Sequence, residues 1–245
     1  LFCPIVSADE TMETAFYNTY SLPSTDRLHQ IISTDDHGYI LLGTKNVDYD
    51  DRGLDFWLVK TAYNGSMLWE NNFGGIATDN ASCVLETSTG YYLVGNLIVD
   101  DETKSDISLI KTDTDGTYQW NKLYPGPNDE TAQAIAKTNQ GLIIAGSSNS
   151  FNDGYDFLLI HINEKGDKIW IKNYGGPNDQ HPVDIIQTAD NGFAILGSDQ
   201  EDFYLIKTDN HGNLVWQQHY GGQETETPST LIQTTDHGFL LIGSS

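Results

Sequence analysis

The chain has 245 residues, with 35 Asp and Glu against 12 Lys and Arg, a formal net charge of −23. Such an excess of acid argues against nucleic acid and anionic membrane surfaces as partners, and no apolar stretch reaches the roughly 18 residues of a membrane-spanning helix. A chain of this size can bury roughly 70% or more of its unfolded surface in one domain, so Cys3 and Cys83 are read as small buried hydrophobes and not as a disulfide.

Residues 1–21 hold the run Ile5-Val6-Ser7-Ala8-Asp9, with Phe16 ten residues after Val6 and Tyr20 beyond it. From about residue 22 a longer pattern begins and recurs. An apolar run (Gln30-Ile31-Ile32) is followed by a turn ending in Gly38 and by Tyr39-Ile40-Leu41-Leu42-Gly43. An acidic loop then leads to Phe56-Trp57-Leu58-Val59, a second Gly turn and Trp69. The next unit repeats this as Cys83-Val84-Leu85, Tyr91 to Gly95, Ile107 to Ile110 and Trp120. The third does so as Ala134-Ile135-Ala136, Leu142 to Gly146, Phe157 to Ile160 and Trp170, and the fourth as Asp184-Ile185-Ile186, Phe193 to Gly197, Phe203 to Ile206 and Trp216. The chain ends on Thr230-Leu231-Ile232 and Phe239 to Gly243.

The tryptophans are 51, 50 and 46 residues apart, and the glycines opening the second run (Gly38, Gly90, Gly141, Gly192, Gly238) are 52, 51, 51 and 46 apart. A period near 50 built from short apolar runs and turn signals is the mark of a β-propeller or β array. Each run is four to seven residues, the length of a strand. The turns end in Gly, which suits a loop residue at positive φ. The first three runs of each unit are nearly continuously apolar, which requires cover on both faces, while the fourth is more polar, as an outer edge strand should be.

The expected fold is therefore all-β: a single five-bladed propeller of four-stranded antiparallel blades over residues 1–245. The blades fall near 22–72, 73–123, 124–173, 174–219, and 220–245 joined to 1–21. Closure would pair Ile5 to Ser7 with Phe239 to Ile242 on one side and Phe16 to Tyr20 on the other. A competing reading makes Leu1 to Ala8 the tail of a secretory signal. Asn64-Gly65-Ser66 and Asn80-Ala81-Ser82 are glycosylation triplets of the sort that chance supplies in such a composition.

Three segments carry a family resemblance: Asp36 to Gly43, Leu109 to Trp120, and Lys172 to Asp179. They resemble the repeats of secreted and cell-surface β-propellers of bacteria and archaea. The resemblance runs the length of the chain. It implies an extracellular or cell-surface location and a binding, adhesion or scaffolding role, and no defined activity. The Asp-x-x-Gly-x-x-x-Trp block is also similar to the tryptophan-docking motif of quinone-dependent dehydrogenases and, with a one-residue difference in spacing, to the Asp-box of sialidase-like propellers. In both the motif is structural, which implies that Asp113 and Asp209 cap turns and that Trp69, Trp120, Trp170 and Trp216 form a packing ring between blades.

In such a fold the loops joining blades and those joining second to third strands emerge on one face. Acids crowd both sets. The first set has Asp26, Asp79, Asp129 with Glu130, Asp179, and Glu224 with Glu226. The second has Asp48, Asp50, Asp51 and Asp55, then Asp100, Asp101, Glu102 and Asp106, then Asp153 and Asp156, then Asp199, Glu201 and Asp202. They are either turn caps and solvated charge or a face for a divalent cation such as calcium or for a cationic partner. Glycosidases need two carboxylates in unlike environments. Asp184 and Glu86 are the acids expected on first strands, but no motif marks them as a pair, and His37, His211 and His237 read as turn residues. No phosphate loop, nucleophile elbow or zinc signature is present. The expectation is a non-catalytic module with no cofactor beyond calcium, binding a protein or glycan. Alternatives are a lectin with one sugar site per blade and, behind it, a glycosidase. Outer strand edges are available for self-assembly.

Overall fold

The structure, a computed structural model, describes residues 18–20, 26–46, 53–75, 78–98, 104–151 and 154–245. It is all-β. Four consecutive sheets each hold four antiparallel strands in chain order, and a two-stranded sheet ends the chain. The first unit comprises β1 (Arg27–Ser33), β2 (Tyr39–Lys45), β3 (Asp55–Thr61) and β4 (Met67–Phe73); the second β5 (Asp79–Thr87), β6 (Gly90–Ile98), β7 (Ser105–Thr112) and β8 (Tyr118–Tyr124). The third comprises β9 (Glu130–Thr138), β10 (Gly141–Ser148), β11 (Asp156–Ile162) and β12 (Lys168–Tyr174); the fourth β13 (Gln180–Gln187), β14 (Phe193–Asp199), β15 (Asp202–Thr208) and β16 (Leu214–Tyr220). The last hairpin is β17 (Thr227–Gln233) and β18 (Phe239–Ser244). Each fourth strand runs to the aromatic Phe73, Tyr124, Tyr174 or Tyr220, so a unit ends after that residue. The expected pairing of Ile5 to Ser7 with Phe239 to Ile242 and Phe16 to Tyr20 turns on Ile5 to Ser7, Phe16 and Tyr17, which lie outside the described residues.

The core lies between sheets. Tyr92, Val94, Ile107 and Leu109 of the second unit bury against Ile135, Leu142, Ile144 and Leu158 of the third, and similar clusters join the first to the second, the third to the fourth and the fourth to the terminal hairpin. Strands β10 and β11 are buried at every position, which accounts for their unbroken apolar sequence. The fourth strands β4, β8 and β12 run largely as exposed and half-buried positions at the sheet edge, and β16 is exposed throughout.

Each first strand carries a β-bulge at the same place. The residue that adds to the ladder is His29, Ser82, Gln133, Val183 or Ser229. Opposite it stands the glycine that closes the second apolar run. A Cβ on Gly43, Gly95, Gly146, Gly197 or Gly243 would collide with the first strand's backbone carbonyl. Those glycines are thus required by close approach.

The turns divide into two kinds. Gly65, Gly116, Gly166 and Gly212, between third and fourth strands, have φ near +75°. Between first and second strands, Gly90 and Gly141 have positive φ, but in the other three units His37, Asn191 and His237 adopt it instead, at 66°, 64° and 66°. The expectation that the closing glycine always takes that conformation is corrected there: Gly38 and Gly192 are needed because a Cβ would strike the carbonyl of Thr61 or Thr208.

Candidate functional site

Three features draw polar side chains together: the junctions between units, a cavity at the first strands, and the hairpin turns.

At the junctions, two glycines follow each fourth strand, with Pro125-Gly126 in the second unit and Ser21-Leu22 after Tyr20. Four residues after the second of them comes the first residue of the next unit's first strand or, at the terminal hairpin, the residue just ahead of it. Asp79 Oδ2 accepts the Gly75 N–H at 3.2 Å, Gln180 Oε1 that of Gly176 at 3.1 Å, and Glu226 Oε1 that of Gly222 at 3.0 Å. Glu130 occupies the same place beside Gly126. The acids Asp55, Asp156 and Asp202, which open third strands, approach from the other side. A Cβ on Gly74 would meet both Asp55 and Asp79, and one on Gly221 both Asp202 and Glu226. Asp79 is 1% exposed. Burial pushes its carboxyl up to about 7, with the neighbouring Asp55 charge adding to the rise and the Gly75 bond opposing it.

The sequence expectation is corrected in detail by this geometry. Asp79 and Glu130 are buried first residues of strands, not members of exposed loops. The register partners of Asp79 in the next two units are Glu130 and Gln180, not Asp129 and Asp179. Asp129 and Asp179 do another job: their Oδ1 atoms accept the backbone N–H of Ser105 at 3.0 Å and Tyr155 at 2.8 Å, tying each junction to the third strand of the preceding unit. Asp26 is half-buried just ahead of β1, and Glu226 stands just ahead of β17. Asp48, Asp50 and Asp51, with Asp100, Asp101, Glu102 and Asp153, lie outside the described residues.

The second feature is a cavity of about 610 Å³ lined by all five first strands. All five bulge residues face it, as do Gln30, Cys83, Glu86, Asp184 and Thr230. Here one strand clasps the next. Gln30 Oε1 accepts the Val84 N–H at 2.6 Å; Asp184 Oδ2 accepts the Leu231 N–H and the Thr230 hydroxyl, both at 2.8 Å. Cys83, a free thiol pushed up by burial, takes a hydrogen bond from the Ile135 backbone. Ala134 cannot reach its neighbour, and Asp184 Oδ1 serves its own next residue, Ile185, at 2.8 Å instead. Glu86 Oε2 accepts the Asp35 N–H at 3.2 Å, and burial raises its carboxyl. Asp184 and Glu86 therefore share a cavity, each already bonded to backbone.

In the turns, Asp113 Oδ1 accepts the N–H groups of Asp115 and Thr117, and Asp209 Oδ1 those of His211 and Asn213. The tryptophans hold equivalent ladder positions, opposite Lys60, Lys111, His161 and Lys207. They are half-buried rather than fully enclosed. Trp69, Trp120 and Trp170 cover the turn glycines Gly116, Gly166 and Gly212 of the following unit, while Trp216 is 37% exposed against Phe239. The lysines that stand opposite these tryptophans carry a role that the sequence reading leaves unassigned. Lys60, Lys111 and Lys207 are buried and reach back to the first turn of their own unit, at Thr34 and Asp36, Thr89, and Asp190. Their recurrence in every unit but one was the available signal. The Lys60 and Thr34 hydrogen bonds hold the Asp36 carboxyl down at about 2.

Residues 158–192 match the family described as haemolysin-type calcium binding protein related domain. The segment starts in β11 and ends at the first turn of the fourth unit. No curated protein matches the chain. The acids of the matched segment do not converge on a calcium cage. Asp167 pairs with Lys122, Asp179 with the Tyr155 N–H, Asp184 with β17 and Asp190 with Lys207. Among the described residues no three His, Cys, Asp or Glu side chains are grouped to hold a metal ion.

Proposed function

We propose that the chain is a five-bladed β-propeller acting as a non-catalytic binding, adhesion or scaffolding module outside the cell or at its surface. The ring reading is supported by the single cavity that first strands of all five units share. Two further observations favour its closure through residues 1–21. Strand β18 pairs only with β17 among the described residues, and it exposes Leu240 and Ile242. Tyr20 donates its hydroxyl to the Gly65 carbonyl, the bond that Tyr124 makes to Gly166 at 2.9 Å and Tyr174 to Gly212 at 2.5 Å. Tyr20 thus acts as the last residue of a fourth strand standing ahead of the first unit. Deleting residues 1–14 would strip the strand that covers β18, and a cooperative melt unchanged by that deletion would refute closure.

The observation that carries the non-catalytic reading is the engagement of Asp184 and Glu86. Asp184 spends its carboxylate oxygens on the N–H groups of Leu231 and Ile185 in first strands, and Glu86 spends one of its own on the Asp35 N–H in a turn. A glycosidase would need one of them protonated and free to reach a sugar oxygen. The test is a panel of aryl glycosides and neutral polysaccharides, for which no turnover is expected. Turnover that disappears in Asp184→Asn or Glu86→Gln would make the protein an enzyme.

The acidic face is the proposed surface for a divalent cation or a cationic partner. Junction carboxylates such as Asp202 with Glu226 supply the oxygen atoms that hard cations prefer. A lectin with equivalent sites has less support, since the position of Tyr118 is filled by Met67, Lys168 and Leu214 in the other units.

A further inference from the structure

The repeats serve as controls for one another, and the junction between the first and second units departs from the two that follow it. Between the second and third units, Lys122 pairs with Asp167 and Tyr124 bonds the Gly166 carbonyl. Between the third and fourth, Lys172 reaches Asn213 at 3.5 Å and Tyr174 bonds the Gly212 carbonyl. In both, a long cation and a phenol bridge to the next unit's turn. Between the first and second units the same two places hold Asn71 and Phe73. Asn71 Nδ2 alone bonds the Gly116 carbonyl, at 3.1 Å. Two bridging groups are shortened or removed at once, and a cleft of about 690 Å³ stands there.

Its lining is unusual for this chain. With 47 of 245 residues charged (35 acidic and 12 basic), none of the described residues lining the cleft carries a charge. It offers amides and a hydroxyl at Asn71, Asn72, Asn121 and Thr117, beside the rings of Phe73 and Tyr118. Tyr118 is 51% exposed, and its hydroxyl bonds Asn121 Oδ1 at 3.2 Å, which sets ring and amide side by side. Fixed amides beside an exposed aromatic ring match a ligand with hydroxyls on its rim and an apolar C–H face. An ionic ligand would find no counter-charge in the lining.

We propose that the cleft between the first and second units is a binding site for a neutral saccharide, with Tyr118 as the stacking platform and Asn71, Asn72 and Asn121 as hydrogen-bonding groups. The proposal gives a ligand class to the binding-module reading. It does not depend on ring closure, because β4, β6, β7 and β8 with their adjoining loops build the cleft by themselves.

The test is calorimetric titration of the full chain with neutral tetrasaccharides of glucose, mannose and xylose in different linkages, with an anionic uronate tetrasaccharide as the contrast. One of the neutral sugars should bind with a dissociation constant of about 1 mM or tighter. Tyr118→Ala, an exposed change, should weaken it about tenfold or more. The double variant Asn71→Lys with Phe73→Tyr copies the other junctions and should abolish binding while melting no lower than the parent. No heat with any neutral sugar, stronger binding of the uronate, or unchanged affinity in Tyr118→Ala would each overturn the site. Loss of the sugar proposal would leave the deletion and calcium tests of the binding-module reading standing.

Discussion

The junction between the first and second units and that between the third and fourth share one backbone plan and differ in the parts that hold it. At the third, a phenol, a lysine stem and a neutral amide (Tyr174, Lys172, Gln180) fill the gap. At the first, the same places hold Phe73, Asn71 and the buried acid Asp79. The difference teaches that the Gly-Gly loop needs an acceptor four residues on, and that the acceptor's charge is optional. At the first junction, burial and the neighbouring Asp55 raise the pKa of that acceptor, Asp79.

The largest effect that could break this comparison lies in the tryptophans. Trp170 packs against both His161 and Phe193, whereas among the described residues Trp69 has one aromatic neighbour, Tyr91. Trp170→Ala is expected to cost about 3 kcal/mol, the lower end for large-to-small changes because the ring is half-buried, and Trp69→Ala less. Urea denaturation of the two variants checks this. Equal losses, or a Trp170 loss within the surface range of about 0.5 kcal/mol, would show that the two junctions do not differ in packing.

Next in size is the proton. The folded-state pKa of Asp79 is raised from 3.8 to about 7, so between those values the native state holds more proton than the unfolded one. Stability contributed by this group is fully present below about pH 4, falls as pH rises toward 7, and is flat above. At about 1.4 kcal/mol per unit the swing between pH 5 and pH 8 is bounded at ~2.7 kcal/mol. Asp79→Asn keeps the acceptor for Gly75 and should remove the slope. Gln180→Glu should install a similar slope at the third junction, beside Asp156. Chemical denaturation at pH 5 and pH 8 reads both, and an unchanged slope in Asp79→Asn would assign the dependence elsewhere.

Smaller still is the phenol. Tyr174→Phe leaves the Gly212 carbonyl without its side-chain donor and should cost about 1 kcal/mol, the net worth of one hydrogen bond. Phe73→Tyr should gain a similar amount by supplying Gly116 with the donor that other turns have. A neutral result for Phe73→Tyr would mean that Asn71 already meets the need.

The smallest expected change is with calcium. A site filled a hundredfold above its dissociation constant stabilises by about 2.7 kcal/mol, but the described acids are largely committed to backbone N–H groups. A melting shift of a degree or two at millimolar calcium would place a weak site on the acidic face. No shift and no heat would leave those acids as structural groups and solvated charge.

Much of the architecture could be read from the sequence because its causes are local. The doubly covered strands β10 and β11 announce themselves as unbroken apolar runs, and the Asp113 and Asp209 turns by residues two and four places on. The site was less legible because it depends on register between units. Nothing in the spacing of Asp79, Asp129 and Asp179 reveals that the first is buried in a strand and the other two cap a neighbour. The repeat slips by one residue at the junction, and that slip decides burial. The open cleft was legible in principle as Phe73 standing where the other units place Tyr, but its meaning required knowing which carbonyl the missing hydroxyl would have met.

The bulges on the first strands have an evolutionary consequence. The bulged strands are sheet edges whose alternate N–H groups point away from their ladder, and the means of meeting those groups differ from joint to joint: Gln30 for Val84, Cys83 for Ile135, Asp184 for Leu231, and at Ala134 nothing, so that Ile185 relies on Asp184 itself. Copies of a duplicated gene segment that have diverged in this way are no longer interchangeable. A recombinant that placed the third unit ahead of the second would set Ala134 against Val84, whose own unit has Cys83 in place of a carboxylate. The order of the copies is thereby locked by chemistry at a handful of backbone amides, even where the units still look alike in sequence.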